Sequence, residues 1–343
     1  MIMADRSGMA GPAHLDVRLD HPGRTFGAMR IPWSDDRSGY GQIVVPVIII
    51  NNGEGPTALL TGGVHGDEYE GQIVLGALAR RLDPAKIRGR LVIVPCANPA
   101  ASLAGRRTSP LDQGNLARLF PGDPAAGPTS QIAEGITRLL LREADYLVDF
   151  HSGGHTLDYL PCAFGRIPEE PALAERVLDL LLAFGAPVTA VVRRPEARGT
   201  LVATALDLGI VAMATELGGS GGVTQDTVEL AERGLLRALA HMGILESQHV
   251  SPPTRLLGIE AAHFVRSPGH GLFAPTFMLG DQVERGDRAG LLCDALRPDR
   301  TPEEIVFAAS GVVLCRRVPA MAQAGDVLVH LGEDITRDAL ISR

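Results

Sequence analysis

The segment Thr61-Gly62-Gly63-Val64-His65-Gly66-Asp67-Glu68 sets an imidazole and a carboxylate three residues apart, just after the apolar run Ala58-Leu59-Leu60. An apolar run that ends in a glycine pair reads as a short buried strand, and the glycines let backbone and substrate approach closely. At this spacing His65 and Glu68 converge on one point, and a nitrogen with a carboxylate oxygen suits Zn²⁺. A catalytic zinc needs a third protein ligand and an open position. The chain offers that ligand far downstream, where Tyr146-Leu147-Val148-Asp149-Phe150 runs into His151-Ser152-Gly153-Gly154. The combined pattern, His-x2-Glu-x82-His, points to a metallohydrolase with one zinc ion per chain on His65, Glu68 and His151.

A lone histidine at a strand end is ordinarily a polar core or turn residue, and His14, His21, His241, His249, His263, His270 and His330 are read that way. The three ligand candidates differ because each stands just past the C-terminal end of an expected parallel strand, where open α/β sheets place their sites. A fourth strand end repeats the design: Val211-Ala212-Met213-Ala214-Thr215 leads into Glu216 and then Leu217-Gly218-Gly219. Buried beside a metal, Glu216 is placed to take a proton from the attacking water and pass it to the leaving amine. Cations come from the stretch Ala97 to Pro128, which shows no regular pattern and holds Arg106-Arg107-Thr108 and Asn115-Leu116-Ala117-Arg118. A loop that long inside a compact domain is usually functional. An arginine fork there polarises a carbonyl, holds an oxyanion or grips a substrate carboxylate.

These residues need a scaffold. Strands are expected at Ile43–Ile50, Thr57–Thr61, Arg90–Pro95, Tyr146–Phe150, Val188–Val192 and Val211–Thr215. Helical patterns lie between them at Tyr69–Leu82, Ser130–Arg142, Pro171–Phe184, Thr200–Leu208 and Thr224–His241, with Thr129-Ser130 and Thr224-Gln225 as helix starts. The alternation implies an α/β domain with a mostly parallel or mixed sheet and helices on both faces. After Gly243 the texture changes. Ser251-Pro252-Pro253 reads as a linker, and short apolar runs broken by glycine turns follow, among them Gly280-Asp281-Gln282-Val283 and Ala324-Gly325-Asp326-Val327. This resembles the small β barrel of biotinyl and lipoyl carrier domains, yet no lysine occurs from Leu256 to Arg343 to carry a cofactor. The division is therefore an N-terminal extension at 1–41, the α/β domain at 42–248 and a β-rich capping domain at 249–343.

Composition narrows the class. The 343 residues are 45% hydrophobic and 21% charged, as in an ordinary globular protein, and the net charge of −8 without a basic run argues against nucleic-acid binding. The longest apolar stretch, Ile43 to Ile50, is broken by Pro46 and too short to span a bilayer. Met1 to Pro12 has no apolar core of signal-peptide type and reads as polar and disordered. Cys96, Cys162, Cys293 and Cys315 show no CxxC pairing, which speaks against a disulfide framework or a thiolate zinc site. A cytoplasmic enzyme with a small-molecule substrate and no membrane partner is expected, and a homo-oligomer is compatible with that reading.

Taken together, Gly-Gly-x-His-Gly-x-Glu, Asn98-Pro99, Asn-Leu-x-Arg-x-Phe-Pro-Gly, Asp-x-His and Thr-Glu-Leu-Gly resemble the succinylglutamate desuccinylase/aspartoacylase family, a branch of the zinc carboxypeptidase fold. The likeness covers roughly Val44 to Leu245. The phrases Gly53 to Leu60, Arg107-Thr108-Ser109-Pro110 and Asp149 to Gly154 are most similar to its ectoine-degradation branch. The resemblance implies zinc on His65, Glu68 and His151, Glu216 as general base and acid, Arg107 at the carbonyl and Arg118 at the substrate carboxylate. Asn115 and Asp158 complete the substrate-binding set. Asn115 also stands where an aspartate often supports a ligand histidine in the wider fold, and Asp158 is placed to meet a cationic substrate group. The family usually reads Asn-Arg where this chain has Ala117-Arg118, so one donor to the carboxylate is missing. The segment Arg193 to Gly199 finds no match in the diaminobutyrate branch.

The expected activity is zinc-dependent removal of a short acyl group, acetyl above all, from the nitrogen of a small amino acid, with N-acetyl-diaminobutyrate a candidate. Two alternatives carry the same ligands: a metallocarboxypeptidase acting on peptides, and a non-catalytic metal- or amino-acid-binding relative.

Overall fold

The computed structural model describes residues 11–192, 198–246 and 251–341. Residues 1–10 of the N-terminal segment and 193–197 of the unmatched Arg193–Gly199 stretch lie outside them.

The chain enters through β1 (His14–Leu15) and β2 (Gly23–Pro32), then β3 (Gln42–Asn52), whose Val and Ile residues favour extended backbone. β4 (Thr57–Thr61), β5 (Gly89–Val94), β6 (Tyr146–Asp149), β7 (Leu157–Tyr159), β8 (Cys162–Arg166), β9 (Val188–Val192) and β10 (Val211–Glu216) follow. Between them run α1 (Glu70–Arg81), α2 (Pro99–Ala104), α3 (Pro128–Leu139), α4 (Pro171–Phe184), α5 (Leu201–Asp207) and, after β10, α6 (Gln225–His241). Local chemistry sets the helix starts. Thr224 Oγ1 accepts from Thr227 N at 3.2 Å, and α3 begins at Pro128, a residue whose missing N–H costs nothing in a first turn.

β4 pairs in parallel with β5 and β6, and β6 with β10, so three neighbouring strands, β4, β6 and β10, end on the same side. Every residue of β4 is buried, which requires cover on both faces of the sheet. β3 runs antiparallel to β5, and β8 antiparallel to β10, making the sheet mixed.

The C-terminal strands are β11 (Arg255–Ile259), β12 (Phe264–Arg266), β13 (Gly271–Pro275), β14 (Gln282–Val283), β15 (Arg288–Cys293), β16 (Glu303–Val306), β17 (Gly311–Arg317), β18 (Met321–Ala322) and β19 (Val327–Asp334). β16, β15, β13 and β18 make a separate small sheet that shares an apolar core around Phe273, Phe277 and Phe307 with residues of β12, β17 and β19. β11 pairs in parallel with β9, and through β19 and β17 the main sheet continues into this region.

The segment before residue 41 shares a sheet with the strand that follows it, and the expected boundary at 248 lies outside the described residues. β2 lies along the whole of β3, from Gly23 opposite Asn51 to Pro32 opposite Gln42. β2, β8 and α2 are elements that periodicity does not announce, because glycines, arginines and a six-residue length blur each pattern.

His330, on β19, is stacked on Phe264 with ring centroids 4.2 Å apart and meets Tyr159 edge-on. Neither ring nitrogen has a hydrogen-bond partner among the described residues, and burial, with His263 nearby, pushes its pKa down to about 3. The folded state therefore refuses a proton that the unfolded chain accepts below about 6.5. Stability from this group is complete above that value and falls as pH drops towards about 3, at about 1.4 kcal/mol per pH unit. His330→Phe keeps the stack and removes the titration. Denaturant melts across pH 3.5 to 7 should show a shallower acid decline in this variant than in the wild type, by roughly one proton's slope.

Candidate active site

The loop after β4 brings His65 and Glu68 to the end of the sheet. Gly66 makes the tight fit possible: a Cβ there would lie 2.0 Å from the Ala101 carbonyl carbon in α2. The β6 end supplies His151, whose N–H is received by Thr215 Oγ1 of β10 at 3.1 Å. Glu216 follows Thr215 at the end of β10.

The three side chains converge. Glu68 Oε1 lies 2.6 Å from His65 Nδ1, and Oε2 lies 2.7 Å from His151 Nδ1. One donor atom from each residue falls within 4.8 Å of the others. The remote nitrogens are occupied: His65 Nε2 meets Asn115 Oδ1 at 3.1 Å, and His151 Nε2 meets Asp149 Oδ2 at 2.9 Å. Asp149 is itself fixed by Thr61 Oγ1, which donates to Oδ1 at 2.6 Å. With each Nε2 facing an acceptor, both Nδ1 atoms point inward beside the Glu68 carboxylate, where a metal ion would take the place of a proton. That donor set fits a zinc ion, and the outer acceptors are the partners that orient metal-bound histidines.

Electrostatics follow from crowding. Burial opposes the Glu68 charge, but His65 and His151 hold its carboxyl well below the usual range. Burial also opposes protonation of His151, yet Asp149 and Glu68 on its two sides raise its pKa well above the ordinary value. At His65 burial prevails and the pKa is lowered. Glu216 behaves oppositely to Glu68: burial, then the Glu68 charge, drives its pKa well above the usual range. Its Oε2 is buried and has no hydrogen-bond partner among the described residues.

Arg107 Nη1 donates to Glu68 Oε1 at 3.4 Å and lies 3.3 Å from His65 Nδ1. Arg118 is exposed as a residue, but its guanidinium is turned back onto the Ala117 carbonyl at 2.8 Å. Partial burial and Arg107 lower its pKa, while Glu216 and Glu68 act against that shift.

Asn115 and Asp158, the other two residues expected to bind substrate, each have protein partners. Asn115 sits behind His65, its Oδ1 meeting His65 Nε2 at 3.1 Å and also accepting from Ala117 N at 3.1 Å. Asp158 is bonded to Arg316, with Nη2 at 2.9 Å, because β17 runs alongside β7; its charge is spent on an arginine that sequence distance concealed. Sequence reasoning missed Asp149, Thr61 and the Asp67–His155 pair, in which Asp67 Oδ2 accepts from His155 N at 3.0 Å. The Asp-x-His spacing was the available signal for Asp149.

Residues 54–242 match the family model of the succinylglutamate desuccinylase/aspartoacylase catalytic domain. Over 336 residues the chain is 37% identical to the N-alpha-acetyl-L-2,4-diaminobutyric acid deacetylase of Halomonas elongata, covering 96% of this chain and 98% of that relative. The product-bound ectoine utilization protein EutE (DoeB) of Ruegeria pomeroyi superposes with a TM-score of 0.91 at 38% identity, covering 95% of this chain and all of that one. A succinylglutamate desuccinylase/aspartoacylase of Rhodobacter sphaeroides gives the same TM-score at 36% identity, covering 95% of this chain and 99% of that one.

Removing an outer acceptor should loosen the centre without unfolding it. Asp149→Ala is expected to weaken zinc binding by roughly 10- to 100-fold in titrations of metal-stripped protein, with the melting curve still cooperative. Unchanged affinity would mean that Asp149 does not orient His151.

Proposed function

The chain belongs to the succinylglutamate desuccinylase/aspartoacylase family, and on that footing we propose that it is a zinc-dependent amidohydrolase removing a short acyl group from the nitrogen of a small amino acid. The observation that carries this reading is the meeting of two inward Nδ1 atoms, the Glu68 carboxylate and the orphaned Glu216 carboxyl at adjacent strand ends. His65, Glu68 and His151 would hold the ion, which supplies Lewis acidity to the amide carbonyl and to water.

The chain's own groups do the rest. Glu216 has an unengaged oxygen and a raised pKa, the combination that lets a carboxylate accept a proton from water and then deliver it to the departing amine. Arg107, already beside Glu68, offers N–H groups where negative charge builds on the carbonyl oxygen. Arg118 receives the substrate carboxylate, in exchange for its bond to the Ala117 carbonyl. With Ala117 in place of the family's usual asparagine, this grip depends on Arg118 alone among the pair. The name of the Halomonas relative supports acetyl as the acyl group and diaminobutyrate as the amine.

Activity against a panel of N-acyl amino acids tests the reading. N-acetyl-diaminobutyrate is expected to give the highest kcat/KM, and its carboxamide analogue to be poor, because Arg118 is then left facing a group without charge. Preference for N-acetylaspartate or N-succinylglutamate would move the substrate while leaving the deacylase chemistry standing. Glu216→Gln should retain its zinc by metal analysis and lose roughly 10²-fold or more in kcat. Near-normal turnover in that variant would transfer the proton to another group.

A further inference from the structure

The strand β7 follows His151 by six residues and lies between two neighbours. On one side is β17 of the C-terminal region, with Cys315 opposite Tyr159, Arg316 opposite Asp158 and Arg317 opposite Leu157. Leu160 N donates to Leu314 O at 2.8 Å, and Val318 N to Thr156 O at 3.0 Å, extending that seam at both ends. On the other side is the turn after Glu216. Asp158 makes a bridge with Gly219, Ser220 N donates to Leu157 O at 3.0 Å, and Gly218 O receives both Gly153 N and Tyr159 N. The fit is close: a Cβ on Gly219 would stand 2.1 Å from Leu157 O. A shift of β7 therefore moves the turn that follows Glu216 and the segment that follows His151 together.

One side-chain ion pair spans the seam beside its backbone ladder. Arg316 donates through Nη2 at 2.9 Å and Nε at 3.2 Å to a single oxygen of Asp158. The Arg316 side chain is 36% exposed, and ion pairs this accessible contribute little to global stability. Their geometry is another matter. We propose that Arg316 is a positioning residue: by holding Asp158 it seats β7 against the Gly218–Ser220 turn, and so sets the placement of Glu216 relative to His151. The C-terminal region is on this account a working part of the active site. The proposal rests on the deacylase reading above.

The test compares Arg316→Met, Arg316→Lys and Asp158→Asn with the wild type, each also in a Glu216→Gln background. Arg316→Met is expected to lower kcat roughly tenfold, with KM changed less than about twofold, since small misplacement of a reacting group costs rate rather than binding. Zinc content and melting temperature should stay near wild type. Lysine should recover most of the rate, and Asp158→Asn should reproduce the loss, which keeps the test intact if the methionine variant folds poorly. In the Glu216→Gln background the further loss should nearly vanish, because the group being positioned is already disabled. An unaffected kcat, or the same fold-loss in that background, overturns this proposal alone. A wild type without zinc or deacylase turnover overturns the deacylase reading and this proposal with it.

Discussion

The Glu68 carboxylate is buried between two imidazoles, and a charge taken out of water is tolerated only where partners of fixed geometry surround it. That requirement reaches outward in steps. The two rings must keep Nδ1 pointing in, so each needs an acceptor at Nε2: an amide from the long loop for His65 and Asp149 for His151. Asp149 in turn needs Thr61, its neighbour across the β4–β6 ladder. Much of the central sheet can be understood as the means of holding one carboxylate in place. Glu216 marks the contrast, since a second acid a short distance away lacks such partners and is driven toward its neutral form. Two acids with opposed environments are thus held toward opposite protonation states.

The C-terminal region joins this arrangement through backbone hydrogen bonds as well as packing. Its strands β19 and β17 continue the main sheet, and β17 lies against the segment that leaves His151. A region that looks from composition like an appended barrel is therefore knitted to the catalytic loops by a ladder whose register must be correct to the residue.

The sequence made His65, Glu68, His151 and Glu216 visible because each follows an apolar run and is set among glycines, a punctuation that marks the end of a buried strand. Their convergence was readable from strand-end position without knowledge of the strand order. Asn115 was harder, because an amide in a polar loop looks the same whether it faces a substrate or the back of a ring. For Asp158 a cationic substrate group was expected, while its arginine partner lies 158 residues away, and pairings across a seam leave no local trace. β2 escaped notice since Gly23, Gly27, Arg24 and Arg30 interrupt its apolar alternation, although its partner β3 was plain.

The continuity of the sheet has a consequence for how the protein is made. β19, Val327–Asp334, is made after each of the strands it pairs with, β11, β12 and β17, and β17 is the strand that β7 lies against. While the first three hundred residues emerge, the histidine after β6 has no finished wall behind the segment that carries it. Pairings of such long range form late and slowly. Until β17 and β19 have been made, β7 has no strand on that side, and the wall beside the segment that follows His151 is completed only when they pair.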